Sequence, residues 1–165
     1  MPDETVVEVM KILSAIEIPP GAAKKIEEMG NAAVTVLCEV ALGSYPGLRP
    51  KVRTNAVALL RWMNHPQALE TTALLINDAN PDVAIRAMRA AGVQKNENVV
   101  DKISQILTKP TSSSLLAAEA AKALLTIDSP KAKAVMETYE KASPNVLPHR
   151  HSPEVEDIIR NRRKV

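Results

Sequence analysis

Apolar residues recur along this chain at the three- and four-residue spacing of helices. Val6, Val9, Met10, Leu13 and Ile16 fall on one face and predict a helix over about 4–17. Ile18-Pro19-Pro20-Gly21 interrupts the pattern. A short helix near 21–29 follows, carrying Ile26 and Met29, and then one over 31–43 that stops at Gly43, as a residue just past a helix end would. After Ser44-Tyr45-Pro46-Gly47 the periodicity predicts helix pairs at 50–63 with 66–77 and at 81–92 with 97–108. A fourth pair follows Pro110, with Ala132, Val135, Met136 and Tyr139 facing inward on its second helix. Residues 143–152 hold Pro144 and Pro148 without periodicity and read as an extended linker. A last helix over about 153–163 carries Val155, Ile158 and Ile159.

Proline marks the helix starts. Pro50, Pro66, Pro81, Pro130 and Pro153 each precede an apolar stretch, where a missing N–H costs nothing and the fixed φ suits the first turn. Asn80, Ser129 and Ser152 stand just before three of them and can accept from the free amides as N-caps.

The middle pairs are copies of one another. Pro50-Lys-Val52-Arg-Thr-Asn-Ala56 returns 31 residues later as Pro81-Asp-Val83-Ala-Ile-Arg-Ala87, and the offset carries Leu60 onto Ala91 and Ile76 onto Leu107. Ala120 follows Ala87 after 33 residues in the fourth pair. A period of this length is the signature of stacked helical repeats. The fold class is therefore all-α, an α-solenoid of antiparallel helix pairs, which the family resemblance given next implies to be right-handed. Residues 1–142 form the array with an N-terminal capping helix, and 143–165 a linker and a C-terminal capping or docking helix.

Residues 81–92, Pro-Asp-Val-Ala-Ile-Arg-Ala-Met-Arg-Ala-Ala-Gly, resemble the first helix of a HEAT repeat, in particular the short repeats of bacterial HEAT-like and phycobilisome-lyase-like proteins; 50–60 is similar. The resemblance covers about 50–142, extends weakly to 19–43 and departs from the family at Ala91, where Leu is usual. It implies close packing of paired helices at the central alanine, an armadillo-like superhelix, and second helices lining a concave face.

Composition agrees with tightly packed helices. Hydrophobic residues make up 45% of the chain but aromatic ones only 2%, with no Phe, so the interior must come from Ala, Val, Leu, Ile and Met. The net charge of +2 resides in 149–165, which holds five basic and three acidic residues, leaving the rest of the chain balanced. That disfavours a nucleic-acid surface spread over the fold. The opening Pro2-Asp3-Glu4 is opposite in charge to a secretory signal, no run reaches membrane-spanning length, and the expected location is the cytoplasm.

Candidate chemistry is sparse. His149 and His151 sit at the right spacing for two metal ligands but lack a positioned third, so no metal or other cofactor is expected. Cys38, among Val34, Val36, Leu37, Val40 and Ala41, reads as a small core residue, and His65 before Pro66 as a junction residue. The iron-carrying hydroxylases built on HEAT repeats use His-Glu dyads, and this chain has none. Trp62, at the end of a first helix, reads as a ring packed between repeats. Arg160, Arg162 and Arg163 suit the negative end of the last helix.

These absences leave a non-enzymatic scaffold that binds a protein or peptide. Its candidate contacts are the outward positions of the second helices: Glu70, Thr71 and Leu74; Asp101, Lys102 and Gln105; Lys133, Glu137 and Lys141. Two alternatives stay open, a chromophore auxiliary protein of the phycobilisome-lyase-like kind and a nucleic-acid binder using the basic tail. The repeat register itself makes a prediction: the central alanines are buried between helices, so Ala87→Leu overpacks that contact and costs about 1–3 kcal/mol. An unchanged melting temperature in this variant refutes the register.

Overall fold

Helix starts follow the proline marks. The computed structural model describes residues 3–142, 149, 150 and 152–162, and among them are ten α-helices, a single 3-10 turn and no strand. In chain order these are α1 Glu4–Leu13, α2 Ala22–Glu28, α3 Asn31–Leu42, α4 Pro50–Leu60, α5 Pro66–Leu75, α6 Pro81–Val93, the 3-10 turn Glu97–Val99, α7 Val100–Thr108, α8 Ser114–Ile127, α9 Pro130–Lys141 and α10 Pro153–Arg162. Pro50, Pro66, Pro81, Pro130 and Pro153 each occupy the first helical position. Asn80 Oδ1 accepts from the Asp82 amide at 3.0 Å, Ser129 Oγ from Ala132 at 3.1 Å and Ser152 Oγ from Val155 at 3.4 Å.

Helix ends are less faithful to the pattern. The first helix stops at Leu13 instead of running to 17, and Ile16, expected on its apolar face, is 86% exposed. A longer helix would bond the Leu13 carbonyl to the amide of Glu17. Asn55 of α4 takes that carbonyl instead at 2.9 Å, and Lys51 takes the carbonyl of Ile16 at 2.5 Å. Asn55 thus supplies the partner that the Glu17 amide would have supplied, and Lys51 serves a carbonyl whose helical partner would be Pro20, which has no N–H. Similarly, 97–108 divides into a 3-10 turn and α7. Gly43, with φ of 81°, closes α3 in the left-handed conformation that glycine adopts without penalty, and the Ser44 amide returns to the Glu39 carbonyl at 2.9 Å.

The chain packs as two units, Met1–Ala90 and Ala91–Val165, with the boundary inside α6. In the first, α3 is surrounded by α1, α2, α4 and α5. Ala33, Val34, Val36, Leu37, Cys38, Val40 and Ala41 are buried along it, and its polar residues Asn31, Thr35 and Glu39 are confined to one narrow stripe at four-residue spacing. A helix with so wide an apolar surface takes neighbours on several sides. Arg53 of α4 ties this unit together: its Nε donates to the Ala41 carbonyl in the last turn of α3 at 2.9 Å, and its terminal nitrogen donates to Asp78 Oδ2 at 2.6 Å.

In the second unit the central element is α8, packed against α7, α9 and α10. Ala117, Ala118, Ala120, Ala121, Ala123, Leu124 and Ile127 are buried along it. Where the end of α6 approaches α8, a Cβ on Gly92 would stand 3.1 Å from Thr126 Cβ, so glycine permits that spacing. The last helix is docked: Val155 and Ile159 are fully buried, and Arg162 donates to Glu140 of α9 at 2.9 Å. Arg162 therefore pairs with a neighbouring helix in addition to suiting its own dipole. The expected linker falls mostly on 143–148 and 151, outside the described residues, as do Arg163 and Lys164. The central alanines Ala56, Ala87 and Ala120 are all fully buried.

Two outcomes follow from this packing. Burying Val155 and Ile159 contributes about 1.5–3 kcal/mol each, so deleting 149–165 lowers the melting temperature by about 6–24 °C and uncovers an apolar strip on α8. Sedimentation then shows self-association; a stable monomer with an unchanged melting curve contradicts this docking. The Asp78 carboxyl is the second case. Its partial burial acts to raise its pKa, but the hydrogen bonds from Arg53 and from the Asn80 amide, with the charge of Arg53, hold it below the usual carboxylate range. Its contribution is present above the unfolded-state value of about 3.9 and is lost as pH falls through the folded-state value. Acid titration of wild type and Asp78→Asn should therefore show the variant less stable at neutral pH, the two curves approaching one another below about pH 3.9 and converging only beneath the folded-state value.

Candidate functional site

The residues proposed for partner contact lie on α5, α7 and α9. On α5, in the first unit, Glu70 and Leu74 are exposed, and Leu74 presents 62% of its surface to solvent. Thr71 is a correction: at 3% exposure it faces the core and hydrogen-bonds Cys38, so it offers nothing to a partner. One step of 100° along the helix carries a side chain from the solvent face to the core. Nothing in a threonine's character distinguishes those positions.

In the second unit a groove of about 490 Å³ runs between α7 and α9. Ser104 and Thr108 form its α7 side, and Ala134, Val135 and Thr138 its α9 side, with the Tyr139 ring beneath. Lys131 Nζ meets Asp101 Oδ2 at 2.7 Å at the groove, joining the two helices across it. The surface is almost wholly apolar because α9 presents alanine and valine where a solvated helix would carry charge. Tyr139 is 2% exposed, its hydroxyl has no hydrogen-bond partner among the described residues, and burial pushes its phenol pKa up against the lowering effect of Arg150, with Glu156 adding to the rise.

The expected contacts on α9 lie on its other flank. With Ala132, Met136 and Tyr139 buried, Lys133, Glu137 and Lys141 project to one side of the core stripe and Ala134, Val135 and Thr138 to the opposite side. Lys133 pairs with Asp128 at 3.4 Å and borders a separate cleft of about 310 Å³ with Met136, Ile158 and Arg162. On α7, Asp101 reaches the groove through its ion pair, Gln105 is exposed and Lys102 half-buried. The signal that could have located the groove was Ala134-Val135, apolar residues beside the core stripe. Val135, expected inside, is only half-buried for this reason.

Trp62 reverses expectation. Met63 fills the buried position after α4 at 2% exposure, leaving the indole 62% exposed with the Arg61 guanidinium 4.5 Å above its ring. Cys38 is 1% exposed, and burial raises its thiol pKa, with Glu39 adding to the effect and the Thr71 hydrogen bond opposing it; little thiolate forms near neutral pH. His65 caps α5, its Nδ1 accepting from the Gln67 amide at 3.2 Å, which leaves Nε2–H to donate to Asn31 Oδ1 at 3.1 Å.

Among the described residues no three His, Cys, Asp or Glu side chains are grouped to hold a metal ion, and His151 lies outside them. No described helix is long and apolar enough to cross a membrane. No protein-family model matches the chain, and no curated protein matches it.

Proposed function

We propose that this chain is a non-enzymatic interaction module, a short right-handed α-solenoid of HEAT-like helix pairs, and that it holds a protein segment in the groove between α7 and α9. The observation that carries the reading is the chemistry of that groove: a concavity of about 490 Å³ whose accessible surface is mostly carbon, from Ala134, Val135 and Ala142 with the small side chains of Ser104, Thr108 and Thr138, and with one ion pair at its margin. A cleft of this size and polarity suits the apolar face of a helix or an extended peptide, whose side chains give up water on entering. The repeat of the Pro50–Ala56 phrase at Pro81–Ala87, with buried alanines at its centre, supports the HEAT-like assignment.

The test compares what native lysate proteins the wild-type chain retains, by quantitative mass spectrometry, with those retained by two multiple variants. Ala134→Glu with Thr138→Glu places charge in the groove at exposed sites and leaves the melting temperature nearly unchanged, since such sites move stability by about 0.5 kcal/mol. It should lose the interactors specific to wild type. Charge reversal at Glu70, Asp101 and Lys133 tests the outward charged positions and should reduce retention less, mainly through the Asp101–Lys131 pair. Full retention by the groove variant removes this reading.

A further inference from the structure

The first unit carries a second groove, also of about 490 Å³, where the turn before α2 faces the end of α4. Ile18, Pro19, Pro20 and Leu59 give it an apolar wall, and Trp62 stands at its edge. The two charged side chains lining it, Lys24 and Arg61, are both cations. Lys24 reaches Glu28 only at 3.8 Å, with both side chains largely exposed, an arrangement that yields easily to a better partner.

Arg61 is the decisive residue. Its guanidinium lies over the Trp62 ring, and no carboxylate among the described residues pairs with it. The ring contact restrains the fork, so a carboxylate arriving there gains charge-assisted hydrogen bonds without ordering a free side chain. Tryptophan and arginine together are also the residues most often responsible for binding energy at interfaces.

We propose that this groove docks an acidic peptide segment, with one carboxylate on the Arg61 fork and an adjacent apolar or proline side chain between Trp62 and the Pro19–Pro20 wall. The charge complementarity fixes the class of partner: two cations suit one or two carboxylates. A nucleic-acid strand would need a longer cationic track than this groove supplies. The site is distinct from the α7–α9 groove, and either can exist without the other.

Panning the full chain and its Arg61→Gln variant against a random heptapeptide library tests the idea, followed by titration of the selected peptides. Wild type should enrich sequences with Asp or Glu beside an aliphatic residue or proline, and Arg61→Gln should not. Because Trp62 is the sole tryptophan, its emission reports binding directly. The selected peptides should change it saturably and lose affinity by about tenfold in Arg61→Gln, equivalent to the loss of one charge-assisted contact. Lys24→Gln, at a fully solvated position, should weaken binding about threefold, as for an exposed ion pair, and provides the decision if Arg61→Gln melts below wild type. The proposal fails if no acidic consensus emerges, or if the peptides bind both variants as tightly as wild type. It fails equally if a ten-nucleotide oligothymidylate alone perturbs Trp62, or if wild type self-associates through Arg61, which would make a second copy the occupant.

Discussion

Each unit depends on one helix whose wide buried face carries side chains small enough to let its neighbours approach. In the first unit α3 has that place, and in the second α8. The sequence has no Phe, and its single Trp points outward, so neither core is filled by large rings. Alanine at Ala33 and Ala41, and at Ala117, Ala120 and Ala121, brings backbones together, while Val, Leu and Met fill the remaining space. Such a core gains its stability from many modest contacts at high density. It tolerates enlargement poorly for the same reason.

Close packing of helices creates an obligation at their ends, where backbone carbonyls lose their intrahelical partners. The first unit meets it with side chains from α4. Arg53 serves Ala41 at the end of α3, Asn55 serves Leu13 at the end of α1, and Lys51 serves Ile16 just beyond. Ile18, Pro19 and Pro20, which the prolines already keep out of the helix, follow in a turn that faces the end of α4 and forms the wall opposite Arg61 and Trp62.

The α7–α9 groove arises differently. Its width is kept by the Asp101–Lys131 pair on one side and its depth by the absence of bulk at Ala134. Apart from Lys131, which is held by Asp101, the charged residues of α9 project away from the groove, and Lys133 pairs with Asp128 instead. The groove is thus apolar surface that no described element of its own unit covers. In the first unit the Cys38 thiol is buried with its pKa raised, and His65 is engaged at both nitrogens.

Helix identity, helix starts and the burial of Ala56, Ala87 and Ala120 were legible in the sequence, because proline geometry, N-cap chemistry and apolar spacing act within a few residues of one another. The inward positions of α9 and α10 were largely legible for the same reason: Met136, Tyr139, Val155 and Ile159 are buried at the spacing that predicts it. Tertiary structure alone decided where α1 ends, since the competing donor comes from Asn55, 42 positions away. It also decided that Met63 and not Trp62 enters the core, that Thr71 turns inward, and that the open flank of α9 is the one bearing Ala134 and Thr138. Periodicity locates a core stripe on a helix, but both flanks of that stripe look alike until a neighbouring helix covers one of them.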